Sequence, residues 1–239
     1  MSLKNWDNKT WLSSTSYIRS FNNFLLKQIK LNKNSQILDI GCGRGKILGS
    51  LSSKLSLKTK PIGLDIVKHK DRDKRIIFKK IDALRFLKKN KKKFDLILLK
   101  QTIHLFKIKD IKNILKLSKK MLNINGKIII FTLDPLNNEI PTFSIMKKKL
   151  KKALIRDKKI IRSISYLFNG KLIRGFSYKV KISRKKYMEM INSKYISVLL
   201  GMSQKTIFSG LNQIKRKYKK QISFEDKLIC LVLNRQTKK

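Results

Sequence analysis

Asp39 stands two residues before the first of three spaced glycines, Gly41, Gly43 and Gly45, with Cys42 between the first two. Glycines in that pattern permit a tight turn and let backbone approach a ligand closely. A carboxylate ahead of them suits a positively charged ligand end better than a pyrophosphate. Asp65 follows 24 residues beyond Gly41, with Ile66 beside it. At the end of a second strand, such an acid can accept both hydroxyls of a ribose. Asp82-Ala83, Lys100 and His104 come next in the chain. His104 is one of two histidines. It is the best-placed candidate to take a proton from a hydroxyl or an amine.

These residues need a scaffold, and the periodicity supplies one. Residues 36–40 are a short apolar run with β-branched members, which predicts a buried strand. Ile47, Leu48, Leu51 and Leu55 then recur on one helical face. Strands are predicted at 60–66 and 75–81, a helix at 83–90 and a buried strand at 94–99. A helix at 108–122, a turn at Asn125-Gly126 and a strand at 127–133 complete the series. Ahead of it, Ile18, Phe21, Leu25 and Ile29 mark an N-terminal helix. Strands alternating with helices favour a parallel, doubly wound α/β sheet. Beyond Asp134-Pro135 the pattern becomes mainly helical, with stripes through Phe143, Met146, Leu150 and Leu154, and later through Ile207, Leu211 and Ile214. A strand is expected near 178–182, and Ser183 and Ser203 read as helix caps. Residues 222–233 read as a last strand. The expected divisions are an N-terminal helical segment (1–35), a ligand-binding core (36–135), a helical cap (136–220) and a final strand with a basic tail (221–239).

The run Ile37-Leu38-Asp39-Ile40-Gly41-Cys42-Gly43-Arg44-Gly45 resembles the first motif of class I S-adenosylmethionine-dependent methyltransferases, of the type 11/25 kind. Phe94-Asp95-Leu96-Ile97 resembles their fourth strand. Asn125-Gly126-Lys127-Ile128-Ile129 resembles the entry to their fifth. The C-terminal part is more loosely similar to trans-aconitate-methyltransferase-like proteins. The resemblance implies a Rossmann-like, mostly parallel sheet with a helical cap inserted before a last, antiparallel strand. It implies S-adenosylmethionine as cofactor. Asp39 would lie at the methionine end, Gly41, Cys42, Gly43 and Gly45 along the cofactor, Asp65 and Ile66 at the ribose, and Asp82 and Ala83 at the adenine. Lys100 is counted among the cofactor-binding positions, with contact to an acidic substrate or extension outward as its other readings. His104 would face the transferred methyl. Trp11 or Tyr17 would lie over the cofactor, or pack as ordinary core. The implied reaction is methyl transfer to a small-molecule acceptor, a carboxylate or a hydroxyl.

Composition narrows the setting. The chain has 239 residues, ample for one well-cored domain, and 41% of them are hydrophobic. Its two cysteines form no disulfide framework or metal cluster, so a reducing cytoplasm fits. Residues 1–11 have no apolar core and do not read as a signal peptide, and no run approaches the length of a membrane span. Net charge is +45, from 59 basic and 14 acidic residues. The basic residues are mainly lysines spread along the whole chain among many Ile and Asn, as A/T-rich coding would produce. The other reading is a polyanion-binding surface, which would make the protein an RNA or protein methyltransferase. After the fourth strand stands Lys100-Gln101-Thr102-Ile103 in place of the Asn/Asp-Pro-Pro-aromatic signature of base-amino methylation. Neither cysteine lies where cytosine-C5 chemistry needs one.

Overall fold

The computed structural model describes residues 10–235. Residues 1–9, within the stretch read as lacking a signal peptide, and the last of the basic tail, 236–239, lie outside the described residues.

The first half of the chain winds a parallel sheet. Strands β1 (Ile37–Ile40), β2 (Ile62–Asp65), β3 (Ile77–Lys80), β4 (Phe94–Lys100) and β5 (Leu122–Leu133) pair in the order β3-β2-β1-β4-β5. Helices cover both faces, so β1, β4 and β5 can be apolar almost throughout. Alternate residues supply separate layers. Leu96, Leu98, Ile129 and Phe131 pack on one side, and Phe94, Ile97, Ile128 and Ile130 on the other. The first layer takes in α1 (Thr15–Gln28) and α2 (Lys46–Lys54). The second takes in α3 (Ala83–Lys89) and α4 (Ile108–Lys120). Side-chain caps start several helices, with Ser14 accepting from the Tyr17 amide and Asp82 from the Arg85 amide.

Beyond β5, helix α5 (Ser144–Phe168) contributes to both layers, through Met146, Leu150 and Leu154 on one and Ile160, Ile161 and Ile164 on the other. Strand β6 (Lys171–Ser183) follows, then α6 (Arg184–Asn192), a 3-10 turn at Ser197–Leu199, α7 (Gln204–Lys217) and β7 (Gln221–Asn234). Strand β7 joins β5 antiparallel, as expected of the last strand, and β6 pairs antiparallel with β7 at the sheet edge. Ser183 and Ser203 cap α6 and α7 through bonds from the Lys186 and Thr206 amides.

Two expectations shift. The segment expected as a helical cap also holds β6, which is longer than the 178–182 stretch. Its register breaks between Ile173 and Phe176, and that break hides the alternation in the first part. Strand β5 starts at Leu122, ahead of Asn125-Gly126. The ladder with β4 pairs Phe94 with Leu122 and resumes at Leu96 with Lys127, so those residues form an irregularity inside the strand. Edge-to-face aromatic pairs tie the N-terminal helix to the late strands: Phe21 with Phe131 at 4.7 Å and Tyr17 with Phe176 at 5.5 Å. Among the described residues, no helix is long and apolar enough to cross a membrane.

Candidate active site

The chain leaves β1 outward through β2 and β3, then returns to place β4 on the opposite side of β1. This is the switch point of the sheet, where a crevice opens beyond the carboxyl ends of the strands. A cavity of about 380 Å³ lies there, within the range of ligand sites.

One wall is the glycine turn. Gly41 and Gly43 take φ of +78° and +55°. The amides of Gly41 and Cys42 both donate to the Leu64 carbonyl, at 2.8 and 2.9 Å, which locks the turn onto β2. A Cβ on Gly41 would run into the Thr102 side chain, whereas one on Gly43 would meet nothing within 4 Å. Asp65 ends β2, its Oδ2 accepting from the Gly43 amide and its Oδ1 from the Val67 amide, both at 2.9 Å. Each oxygen keeps a further lone pair. Asp39 is buried at 4% exposure, and its Oδ1 has no hydrogen-bond partner. Burial pushes its carboxyl up to about 7, against the pull of Lys100 and with a smaller push from Asp65. Burial also raises the Cys42 thiol far above its ordinary value, so the sulfur stays protonated and inert.

Most expected site residues converge on this cavity. Asp39, Gly41, Cys42, Gly43, Asp65, Ile66, Asp82, Ala83, Lys100 and His104 all line it. Asp82 lines it while capping α3, and Ile66 is 63% exposed. Gly45 does not line it; at φ +71° it is the N-cap residue of α2, and a Cβ there would strike Ile76. Trp11 lines the cavity, and Tyr17 is packed in the core. Lys100 does not extend outward. Its Nζ donates to Gln101 Oε1 at 2.9 Å and lies 5.2 and 5.3 Å from the Tyr17 and Phe21 ring centres. Gln101 takes φ +51°, a conformation that strains a non-glycine residue and that tends to occur at functional turns.

His104 sits in the 3-10 turn Ile103–Leu105. Helix α5 clamps that turn, with Arg156 donating to the His104 carbonyl at 3.1 Å and to Asp157 Oδ1 at 3.0 Å. Burial lowers the imidazole pKa, Asp157 opposes this and Arg156 adds to it. The ring is therefore neutral at neutral pH and able to accept a proton.

Sequence reasoning missed Arg156, Asp157 and Asp226, all of which line the cavity. Asp226 carried a signal. Along β7, Ile222, Phe224, Asp226, Leu228 and Cys230 share the buried register, so an acid stands in an apolar series.

A doubly wound sheet with a glycine turn, a strand-end acid and a cavity at the switch point defines an enzyme of the class I methyltransferase kind. The chain belongs to the methyltransferase-domain family, whose model matches residues 31–194. No curated protein sequence matches the chain. Among solved structures, a protein of Anabaena variabilis named as a methyltransferase from an antibiotic biosynthesis pathway is similar at 13% identity. It covers 90% of this chain and 96% of its own, with a TM-score of 0.63. A SAM-dependent methyltransferase of Geobacter sulfurreducens, solved with S-adenosyl-L-homocysteine, gives 12% identity, 92% and 90% coverage and 0.54. The plantazolicin methyltransferase BpumL, solved with a monoazolic desmethyl analogue and SAH, gives 17%, 97% and 88%, and 0.51. At these identities the likeness is one of fold. The trans-aconitate-like character expected of the C-terminal part is not carried by these matches, and the family match ends within that part.

Proposed function

We propose that this methyltransferase transfers a methyl group from S-adenosylmethionine to a small-molecule acceptor by in-line displacement within the cavity. One observation carries the reading. The buried, unpartnered Asp39 oxygen, the open face of Gly43 and the spare lone pairs of Asp65 lie along one wall of the cavity. Those features fit an ammonium group, a close-lying chain and a ribose. Asp39 holds the methionine end, the Gly41–Gly43 backbone follows the cofactor, Asp65 accepts the ribose hydroxyls, and Asp82 with Ala83 borders the adenine. When bound, S-adenosylmethionine supplies a methyl group already activated on sulfonium. The chain's own work is then to orient the acceptor and exclude water. His104 takes the acceptor's proton where the acceptor needs a base. The opposite wall, from β5, α5 and the 194–198 segment, shapes the acceptor space. Two free cysteines suit the cytoplasm.

The test is transfer of a labelled methyl from S-adenosylmethionine into extract of the source cell, separated into small molecules, RNA and protein. Label is expected in the small molecules. Asp65→Ala is expected to weaken cofactor binding about 100-fold, since it removes two hydrogen bonds to a charged acceptor. Calorimetry measures the binding. Label in RNA or protein, weakening steeply with salt, would instead assign the acceptor to the basic surface.

A further inference from the structure

The cavity has two walls of different chemistry. On the glycine-turn side, Asp39 Oδ1 is buried without a partner and Asp65 keeps lone pairs free. On the opposite side, the charged side chains are already engaged within the protein. Arg156 donates to the His104 carbonyl and to Asp157. Lys194 Nζ donates to the Met202 carbonyl at 2.7 Å. Asp226, 1% exposed, accepts from Trp11 Nε1 at 3.0 Å and faces the Tyr17 hydroxyl. Thr132 and Ser197 add two small hydroxyls.

What this side presents to the cavity is mainly hydrocarbon. Helix α5 buries Met146, Leu150 and Leu154 at helical spacing, and Ala153 beside them is half-buried and lines the cavity. In the 194–198 segment, Tyr195 is buried, whereas Ile196 and Val198 line the cavity half-buried. Leu133, at the end of β5, does the same. Leu105, next to His104, also lines the cavity and is 51% exposed, so the apolar surface continues outward from the site. Apolar surface left facing water is unfavourable, and a ligand that covers it gains that free energy. A pocket of this kind binds by apolar contact, with a few polar groups fixing orientation.

Resting on the function proposed above, we propose that the acceptor is a mainly apolar molecule, an aromatic ring or hydrocarbon chain carrying one polar group. Its apolar body lies against Leu133, Ala153, Ile196 and Val198, and its polar group is turned to His104. A sugar, a nucleotide or a free amino acid would give up its hydration on this wall with too few partners to replace it.

The experiment needs no variant in its first arm. Small molecules of the extract are partitioned between ethyl acetate and water at pH 7. Each pool is assayed with labelled S-adenosylmethionine and wild-type protein. The larger share of transferred label is expected from the organic pool; a larger share from the aqueous pool overturns the inference. In the second arm, Ile196→Asn is titrated with the organic pool. Ile196 is the N-cap residue of the 3-10 turn and makes no side-chain cap bond, and asparagine suits that position. The melting temperature should therefore hold, and S-adenosylmethionine affinity should stay within twofold. The amount of pool needed for half-maximal rate is expected to rise tenfold or more, because an apolar contact is replaced by a polar amide. An unchanged half-saturating amount would mean that this wall does not touch the acceptor, and the inference is wrong. Should Ile196→Asn not fold, Val198→Thr, which keeps the side-chain shape and adds a hydroxyl, is read in the same way, with a rise of threefold or more expected. Failure of the parent reading looks different: wild-type protein would not bind S-adenosylmethionine, or would transfer to no small molecule in either pool.

Discussion

Asp39→Asn is expected to stabilise the cofactor-free protein at pH 8 and at the same time to abolish most of its affinity for S-adenosylmethionine. The first effect follows from linkage. The Asp39 carboxyl has a folded value of about 7, set mainly by burial, against ~3.9 in an unfolded chain. The native state therefore binds the proton more tightly than the unfolded state. Stability falls as pH rises from the unfolded value through about 7, and is flat above it. Linkage over that shift makes the ionised, buried carboxylate at pH 8 destabilising by on the order of 4 kcal/mol. The carboxamide does not ionise. The melting temperature of Asp39→Asn should then exceed that of wild type by roughly 10 °C at pH 8. The difference should shrink towards zero near pH 4.

The second effect has the opposite sign because the proposed ligand end is an ammonium group. Its charge draws the Asp39 proton off, so binding and deprotonation are coupled. The wild-type dissociation constant should rise close to tenfold for each pH unit below about 7, measured by calorimetry between pH 5 and 7.5. In that range the ligand amine stays mostly charged. Asp39→Asn should bind about 100-fold more weakly at pH 7.5 and lose the slope. A variant that gains stability and keeps its affinity would remove Asp39 from the cofactor site. The strain is of the kind functional sites carry: a group kept poorly solvated because the ligand completes it.

Asp39 was legible because its information is local. A strand, a glycine turn and a helix occupy adjacent residues, and the backbone conformations they demand are written in the glycines themselves. The same holds for Asp65 and Asp82, each at a strand end followed by a turn or helix start, and for the caps Ser183 and Ser203. Gly45, expected along the cofactor, does not line the cavity and is the N-cap residue of α2. The motif shows that backbone freedom is needed there and not which way the backbone faces, and the structure uses that freedom to start α2 under Ile76. Asp157 and Asp226 were missed for a different reason: the acid in the apolar series of β7 marks Asp226 as unusual without saying what it meets. Asp226 gains its setting from Trp11, 215 residues earlier, and from the pairing of β7 with β5 and β6. Asp157 gains its setting where α5 meets the His104 turn, 52 residues from Arg156. No local pattern states which distant segments meet. The side of the cavity formed by β5, α5 and the 194–198 segment is built almost wholly from such meetings, so the glycine-turn wall was readable and that wall was not.

Gly41→Ala and Gly43→Ala should separate two uses of glycine in one turn. Both positions have positive φ, and an L-residue there costs about 1–2 kcal/mol. At Gly41 a second penalty adds. The new Cβ meets the Thr102 side chain, which is 6% exposed and held by its hydroxyl donating to the Lys100 carbonyl at 3.0 Å. The turn cannot easily move away, because the Gly41 and Cys42 amides are both fixed to Leu64. Overpacking of this kind brings the total to about 3 kcal/mol, a fall in melting temperature of roughly 6–12 °C for a chain of this size. Thr102→Ala in the Gly41→Ala background should recover about 1 kcal/mol, leaving the conformational part, and a double-mutant cycle reads that coupling. At Gly43 there is no collision, so stability should fall by only about 1 kcal/mol. The methyl group would instead occupy the open space where the cofactor's chain is proposed to run. Cofactor affinity should therefore drop tenfold or more with little change in melting. Equal destabilisation by the two variants, or a Gly43→Ala protein that binds S-adenosylmethionine like wild type, would mean that the turn faces the ligand differently. The steric burden of the motif would then lie wholly within the protein.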